Sequence, residues 1–308
     1  MGFLKGLLAT LLTFLLFLSL AAFGTLFALR STLLDPDFIV AQVQKLDVAV
    51  LAREMTQGQL GEQIPPEASF LNEALYDAIA ENEPYLKEQA SAAIYSSFDY
   101  LLGKSDRLNI AISLAPVKAN MKDRLWQKFQ QNKESLPPEV AALPPEMLEQ
   151  YFEEFYQQFE AEIPSEFAID ESSLPPDVMS VVEVIRENAG YIETAYYGLI
   201  ALMVVLVLCL IWLHRSVKGV TRELGVTFLI YGAIEYAGVW ATQRYLPSMS
   251  IPDIPPSLQT WLDSVINDFI APMQVLGIGL MAAGAALIVV SFVYPRLRPA
   301  EAEAEAEE

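Results

Sequence analysis

Four long apolar segments alternate with polar segments along the chain. The apolar segments occupy residues 3–29, 195–213, 224–242 and 270–294 of 308. A helix needs about 20 mainly apolar residues to cross the hydrocarbon core of a bilayer, and each segment approaches or exceeds that length. The pattern therefore predicts an integral membrane protein with four transmembrane helices and a long polar insert between the first two.

The polar insert, residues 31–190, has the pattern of an all-α domain. Its apolar side chains recur at helical spacing, and it is long enough to bury a core of its own. One helix is expected over residues 36–60, and another that begins at Pro84 and ends at Gly103. Alternating apolar residues at 107–116 suggest a short strand, for which the sequence shows no partner. We therefore expect a bundle of about six helices.

A recurring step of an apolar residue, two prolines and a polar residue marks several helix starts. Proline suits the first helical position because its missing N–H has no partner there, and an acid in the first turn is favoured by the helix dipole. The step predicts helix starts near residues 66, 138, 145, 176 and 256. A proline-rich recognition motif would instead need exposed P-x-x-P segments.

Most of the charge lies in the insert. The chain is 53% hydrophobic, yet its formal net charge is −20. Residues 31–190 hold 28 acidic and 11 basic side chains, a net of −17. Such a surface repels nucleic acid, so no nucleic-acid partner is expected. The insert has neither a cysteine nor a glycosylation sequon, which favours a prokaryotic protein over a secreted eukaryotic one.

The distribution of basic residues predicts the orientation in the membrane. Lys5, the loop at 214–223 and the segment after residue 294 are basic, whereas 31–190 and the loop at 245–269 are acidic or neutral. The positive-inside bias therefore places both termini in the cytoplasm and the insert outside the plasma membrane. The first apolar segment is longer than that of a signal peptide, so we expect it to remain as an uncleaved signal anchor.

These boundaries divide the chain into four parts. Residues 1–30 are the first transmembrane helix, 31–190 the extracytoplasmic acidic domain, 191–295 a three-helix transmembrane region, and 296–308 a cytoplasmic tail. The tail alternates alanine with glutamate. A segment of that composition cannot bury enough apolar surface to fold, so we expect an acidic, disordered end.

Glu235 is the sharpest candidate for a functional residue. It lies near the middle of the third apolar segment, where a carboxyl group is costly unless it faces a bundle interior or a cavity. One hypothesis is a proton or cation site in a transporter or channel. The other is a protonated carboxyl group that fixes helix packing through a hydrogen bond to Tyr231. The sequence leaves both hypotheses open.

Small residues line one face of the fourth apolar segment. They are Gly279, Ala282, Ala283 and Ala286. A face of this kind lets two helices approach closely. We expect it to pack against another helix of this chain, and the alternative is a contact with a second copy or with another membrane protein.

A cluster of basic side chains lies within the acidic domain, at Lys118, Lys122, Arg124 and Lys128. The cluster could bind lipid headgroups or an anionic ligand. We expect instead a solvated helix face that is balanced by acidic neighbours. The aromatic residues at helical spacing over 148–159 are expected to belong to the core.

The motifs that carry catalysis in many enzyme families are missing from the sequence. It has no Walker loop, dinucleotide-binding glycine pattern, G-x-S-x-G or H-E-x-x-H. Its single histidine and single cysteine, His214 and Cys209, are too few for a zinc site. We therefore expect a non-enzymatic protein of the lipid bilayer, with neither cofactor nor metal.

Three functional classes remain after these observations, and the least expected is an enzyme that uses a pair of carboxylates in the outer domain. The first, which we favour, is a scaffold, adaptor or sensor component whose extracytoplasmic domain binds a protein partner or ligand. The second is a transporter, a channel or an accessory subunit that uses Glu235.

Overall fold

Helices dominate the described part of the chain. A computed structural model describes residues 2–59, 69–131, 133, 138–162, 164–214, 216–245 and 254–297. The helices are α1 Gly2–Ser31, α2 Pro36–Lys45, α3 Val48–Gln59, α4 Ser69–Leu101, α5 Ala115–Gln131, α6 Pro138–Ala141, α7 Pro145–Glu162, α8 Pro176–His214, α9 Val217–Tyr245 and α10 Pro256–Leu297. The strands are β1 Asn109–Ser113 and β2 Glu166–Asp170. The prediction of a helical protein is confirmed. The described residues also contain one small two-stranded sheet.

The chain divides into two compact units. The membrane unit comprises Met1–Asp35, Asn188–Ser250 and Ser264–Glu308, and the polar unit comprises Pro36–Glu187 and Ile251–Asp263. Helices α8 and α10 each contribute residues to both units. The two units are therefore connected in part by uninterrupted helix.

Four helices in the described part of the chain are long and apolar enough to cross a membrane. The candidate spans are Leu4–Ser31, Pro176–His214, Val217–Tyr245 and Pro256–Tyr294. In each span, only 11% to 33% of the most apolar stretch of 18 residues is buried inside the chain. Helices that leave so much apolar surface uncovered suit an environment of lipid. The four predicted transmembrane helices are confirmed in length and hydropathy.

Five of the described helices begin at a proline: α2 at Pro36, and four more at the starts predicted from the two-proline step. Helices α6, α7, α8 and α10 begin at Pro138, Pro145, Pro176 and Pro256. The first turn of a helix leaves its N–H groups without partners, so a residue without an N–H loses nothing there. The fifth predicted start, near residue 66, lies outside the described residues.

The single helix expected over residues 36–60 is in fact two helices, α2 and α3. The chain leaves the helical conformation between them, and Asp47 Oδ1 accepts a hydrogen bond from the backbone N–H of Val50 at 2.9 Å. An aspartate that bonds the third N–H of a new helix is an N-cap, which stabilises a fresh start. The prediction missed this break because the apolar spacing continues across it.

Helix α4 runs through Pro84 without the expected interruption. Proline inside a helix removes one backbone hydrogen bond. Buried side chains lie on both sides of it, with Ala78 before and Tyr100 after, so packing of the whole helix outweighs that local cost. The predicted end is confirmed: Gly103 has φ of +71°, and the N–H of Lys104 donates to a carbonyl in the last turn at 2.8 Å.

The predicted strand has a partner that the sequence did not reveal. β1 pairs antiparallel with β2, and Ala111 lies opposite Ala168. The backbone N–H of Leu108 donates to Glu171 Oε1 at 2.7 Å, which joins the ends of the two strands. β2 has the same alternation of apolar residues as β1, with Phe167 and Ile169 in place of Ile112 and Ile110, but this second strand was not recognised in the sequence. The expected strand is therefore confirmed as half of a two-stranded sheet in an otherwise helical insert.

The core of the polar unit forms among α4, α5, α6 and α7. Its buried members are Ala74, Ala78, Met121, Leu125, Phe129, Val140, Leu148, Phe152 and Tyr156. The ring of Phe152 has its centroid 4.9 Å from that of Trp126 and 5.5 Å from that of Phe129. The aromatic face of α7 is therefore largely core, as the spacing predicts.

The first residues of α10 are held by α2 and α3. Glu54 Oε2 accepts hydrogen bonds from the backbone N–H of Ser257 at 3.0 Å and from its hydroxyl at 2.6 Å. The indole N–H of Trp261 donates to the backbone carbonyl of Gln42 at 2.8 Å. A carboxylate at a helix N-terminus is favourable because the N–H groups there need acceptors. These bonds explain why a segment that follows α9 belongs to the polar unit.

Candidate functional site around Glu235

The side chains of Glu235 and Tyr231 meet on one face of α9. The Tyr231 hydroxyl donates a hydrogen bond to Glu235 Oε2 at 3.0 Å, across one helical turn. Tyr231 is almost wholly buried. The second carboxyl oxygen, Oε1, is buried and has no hydrogen-bond partner among the described residues. A buried acceptor without a donor is costly, so this oxygen is the least satisfied polar atom of the site.

Glycines from two other helices allow this pair to fit. A Cβ added at Gly24 of α1 would lie 2.6 Å from the Tyr231 hydroxyl and 3.4 Å from Glu235 Oε1. A Cβ added at Gly277 of α10 would lie 3.3 Å from Glu235 Cβ. The ring of Phe17, also on α1, packs edge-on against the Tyr231 ring at 5.5 Å. The carboxyl group therefore lies where α1, α9 and α10 meet.

A second polar cluster lies three turns earlier on the same helix. Glu223 Oε1 accepts a hydrogen bond from the Thr13 hydroxyl at 2.5 Å, and Glu223 Oε2 lies 2.7 Å from His214 Nε2. Glu223 thus joins α1, α8 and α9 at one end of the membrane unit. From the sequence, His214 was considered only as a zinc ligand and not as a partner of Glu223. Among the described residues, no group of three or more His, Cys, Asp or Glu side chains could hold a metal.

The polar side chains of α9 recur at every fourth residue. Glu223, Thr227, Tyr231 and Glu235 follow one another at this spacing and so lie along one side of the helix. Thr227 and Tyr231 are buried. The spacing was visible in the sequence, and it would have identified the Glu223 cluster together with Glu235.

The predicted small-residue face is not the one that packs. Gly279, Ala282, Ala283 and Ala286 are all exposed, and a Cβ added at Gly279 meets nothing within 4 Å. The expectation that this face packs within the chain is therefore wrong.

The close contact between α9 and α10 uses four other glycines. A Cβ added at Gly232 would lie 2.5 Å from the carbonyl oxygen of Gly277, and one at Gly284 would lie 2.7 Å from that of Gly225. The two glycines of each helix are seven residues apart, which is two turns. Pairs of glycines on facing helices let the two backbones touch.

Three of the four predicted basic residues form ion pairs on the surface of the polar unit. The pairs are Lys122 with Glu153 at 2.6 Å, Arg124 with Glu81 at 2.9 Å, and Lys128 with Glu73 at 2.9 Å and Asp77 at 3.5 Å. A hydrogen bond to Glu73 is the main reason that the pKa of Lys128 is raised. A hydrogen bond to Glu81 is likewise the main reason that the pKa of Arg124 is raised. These cations are paired within the chain rather than presented to an anionic ligand.

Lys118 differs from the other three because it is buried. Its Nζ lies 3.5 Å from a carboxylate oxygen of Glu160 and donates to the Ser165 hydroxyl at 3.3 Å. The Tyr156 hydroxyl donates to the backbone carbonyl of Lys118 at 2.8 Å. Burial, together with the charge of Glu160, raises the pKa of Tyr156 to about 12. Lys118 is therefore part of the core boundary and not of a solvated face.

An exposed apolar stripe on α8 was not anticipated from the sequence. Its members are Val178, Val181 and Ile185, which we call the α8 stripe, and they are 42%, 57% and 38% exposed. All three belong to the polar unit. The helical spacing of these three residues is visible in the sequence. Because α8 continues into an apolar span, however, the sequence does not show which apolar residues lie outside the membrane unit.

Comparison with known proteins adds no further assignment. No protein-family model matches this chain, and neither a curated protein nor a solved structure shows significant similarity to it.

Proposed function

We propose that this chain is a non-enzymatic protein of the plasma membrane whose polar unit lies outside the cell and binds a protein partner. In this role it is a scaffold, an adaptor or a sensor component. Both termini are cytoplasmic in this arrangement, because the basic residues flank the ends of the spans on that side.

The α8 stripe is the observation that carries the proposal. Large apolar side chains on a segment outside the membrane unit are unfavourable in water, and grouped apolar side chains of this kind mark interaction sites. The polar unit also has its own core, so it is a stable body on which to present such a surface. Because α8 and α10 each have residues in both units, these two helices are the route by which partner binding to the polar unit would affect the membrane unit.

A membrane-impermeant amine cross-linker applied to intact cells tests this proposal. Lys104 is 66% exposed in the polar unit and should react, whereas Lys218, on the predicted cytoplasmic side, should not. We expect a cross-linked species heavier than the 34.2 kDa chain. A chain that reacts at Lys104 and stays at 34.2 kDa at every cross-linker concentration would contradict the proposal. Reaction at Lys218 alone would contradict the orientation.

Proton or cation transfer through Glu235 is the second candidate function. The observation that favours it is the buried Oε1 without a donor, because an acceptor of this kind suits a proton or a small cation. Polar side chains on the same side of α9 extend from Glu235 towards Glu223.

Reconstitution into liposomes with an internal pH-sensitive dye tests the second candidate. The native chain should dissipate an imposed pH gradient, and Glu235→Gln should abolish this flux. Glu183→Gln, a change of the same kind at an exposed position of α8, should leave the flux unchanged. Equal flux with and without Glu235, or no flux from the native chain, would exclude the transport function.

A further inference from the structure

The α8 stripe remains exposed among the described residues of the chain. Arg186 holds α8 to the rest of the polar unit, because its guanidinium lies 4.5 Å from the centre of the Tyr100 ring and 3.5 Å from Asp106 Oδ1. Arg186 lies about 100° around the helix from Ile185, as successive helical residues do. The stripe is therefore free to meet another surface while Arg186 keeps α8 in place.

The spacing of the stripe is that of a heptad repeat. With Val178 at position a, Val181 is at d and Ile185 at the next a. The series then continues along the same helix with Asn188, Ile192, Ala195, Leu199 and Leu202. The informative part of the series is residues 178–187, because almost every position after residue 194 is apolar whatever the spacing. In that part the apolar residues at a and d follow the 3.5-residue repeat of two supercoiled helices.

The charged residues of the same segment lie away from the seam. Glu183, Arg186 and Glu187 are at positions f, b and c, which face outwards in a two-stranded coiled coil. Charges there remain in water when the seam is covered. The segment therefore has one apolar side and one charged side, divided at the heptad boundaries.

Insertion in a membrane restricts how two copies can meet. Every copy enters the bilayer with the same orientation, so the α8 helices of two copies run parallel. Parallel two-stranded coiled coils favour β-branched residues at position a. Val178, Ile185 and Ile192 are all β-branched. The spacing and the residue types at position a thus suit a parallel pair of identical helices.

We propose that residues 178–187 of α8 form a parallel two-stranded coiled coil with the same residues of a second copy of this chain. This inference rests on the proposed function, because it names the protein partner of the polar unit. Each stripe covers the other, so the apolar side chains that are exposed in the single chain are removed from water.

Disulfide cross-linking between two copies tests this geometry. The chain has one native cysteine, Cys209, so the experiment uses a Cys209→Ser background. Ile185→Cys places a thiol at the seam, and Glu183→Cys places one on the opposite side of the same turn. In a parallel coiled coil the two thiols at position 185 come within reach of a disulfide, whereas those at 183 do not.

The expected result in membranes under mild oxidation is a dimer of twice 34.2 kDa from Ile185→Cys and none from Glu183→Cys. Reaction of both variants with a maleimide shows that both thiols are accessible. Val181→Glu in the Ile185→Cys chain should reduce the dimer at least tenfold, because it places two like charges at the seam. Ser180→Glu, at an exposed position off the seam, should not.

Three results would overturn the coiled coil. They are no dimer from Ile185→Cys, equal dimers from both cysteine variants, and a disulfide to a different protein. If the impermeant cross-linker still traps a heavier species, only this inference fails and the polar unit binds another partner. If both experiments give the 34.2 kDa chain alone, the proposed function fails as well.

Discussion

Substitution of Gly232 by alanine is expected to lower the free energy of unfolding of the membrane unit by about 1–3 kcal/mol, the usual cost of overpacking. The added Cβ would lie 2.5 Å from the Gly277 carbonyl oxygen and 2.8 Å from the Met281 backbone nitrogen. Both are backbone atoms of α10, so no side chain can turn away. The two helices must separate, which also loosens the contact of Gly277 with Glu235.

Thermal unfolding of the full chain in mild detergent measures this effect. The matched control is Gly279→Ala, because a Cβ at that glycine meets nothing within 4 Å. The control should keep the native unfolding temperature or exceed it slightly, since alanine is the better helix former. Equal stability of the two variants would show that α9 and α10 do not touch through Gly232 and Gly277.

Truncation of Phe152 to alanine should have the largest effect on the polar unit, a loss of about 3–5 kcal/mol in the free energy of unfolding. Its side chain is only 3% exposed and packs against the rings of Trp126, Phe129 and Tyr156. Removing the ring leaves a cavity among three large aromatic residues, which cannot close without moving whole helices.

Denaturant unfolding followed by tryptophan fluorescence would measure this loss. Met147→Ala on the same helix is the control, since Met147 is 54% exposed and its truncation should change the free energy by no more than about 0.5 kcal/mol. A change at Phe152 as small as that at Met147 would mean that the aromatic face of α7 does not form the core.

Features that depend on neighbouring residues alone were predictable. The spans follow from apolar length, and the starts of α6, α7, α8 and α10 follow from a proline whose missing N–H suits the first turn. The end of α4 follows from Gly103, because few other residues adopt its positive φ. In each case the physical cause lies within a few residues of the result.

Features that depend on the rotation of a helix, or on distant pairing, were not predictable. The sequence of α10 has small residues on more than one side, and only the position of α9 selects Gly277 and Gly284 over Gly279 and Ala283. β2 has the alternation of a short strand, but its partner β1 lies more than fifty residues earlier, and no local pattern connects the two. The burial of Lys118 depends on α7 and the segment after it, which supply Glu160 and Ser165.

The sequence predicted two residues of the candidate site but not the glycine that makes room for them. Glu235 stands out because a carboxyl group is rare inside an apolar span, and Tyr231 is one turn away. The glycine that makes room for them, Gly24, lies more than two hundred residues earlier on α1. No local pattern connects a small residue of one span to a carboxyl group of another.

The bonds from α2 and α3 to the start of α10 have a consequence for biosynthesis. The two stretches of the polar unit are separated by residues 188–250, so Ser257 and Trp261 leave the ribosome long after Gln42 and Glu54. At usual rates of synthesis, the 203 residues that separate Glu54 from Ser257 take ~10–40 s to make. During that time the Glu54 carboxylate and the Gln42 carbonyl lack the partners that α10 supplies. The polar unit is therefore completed only when α10 has been made.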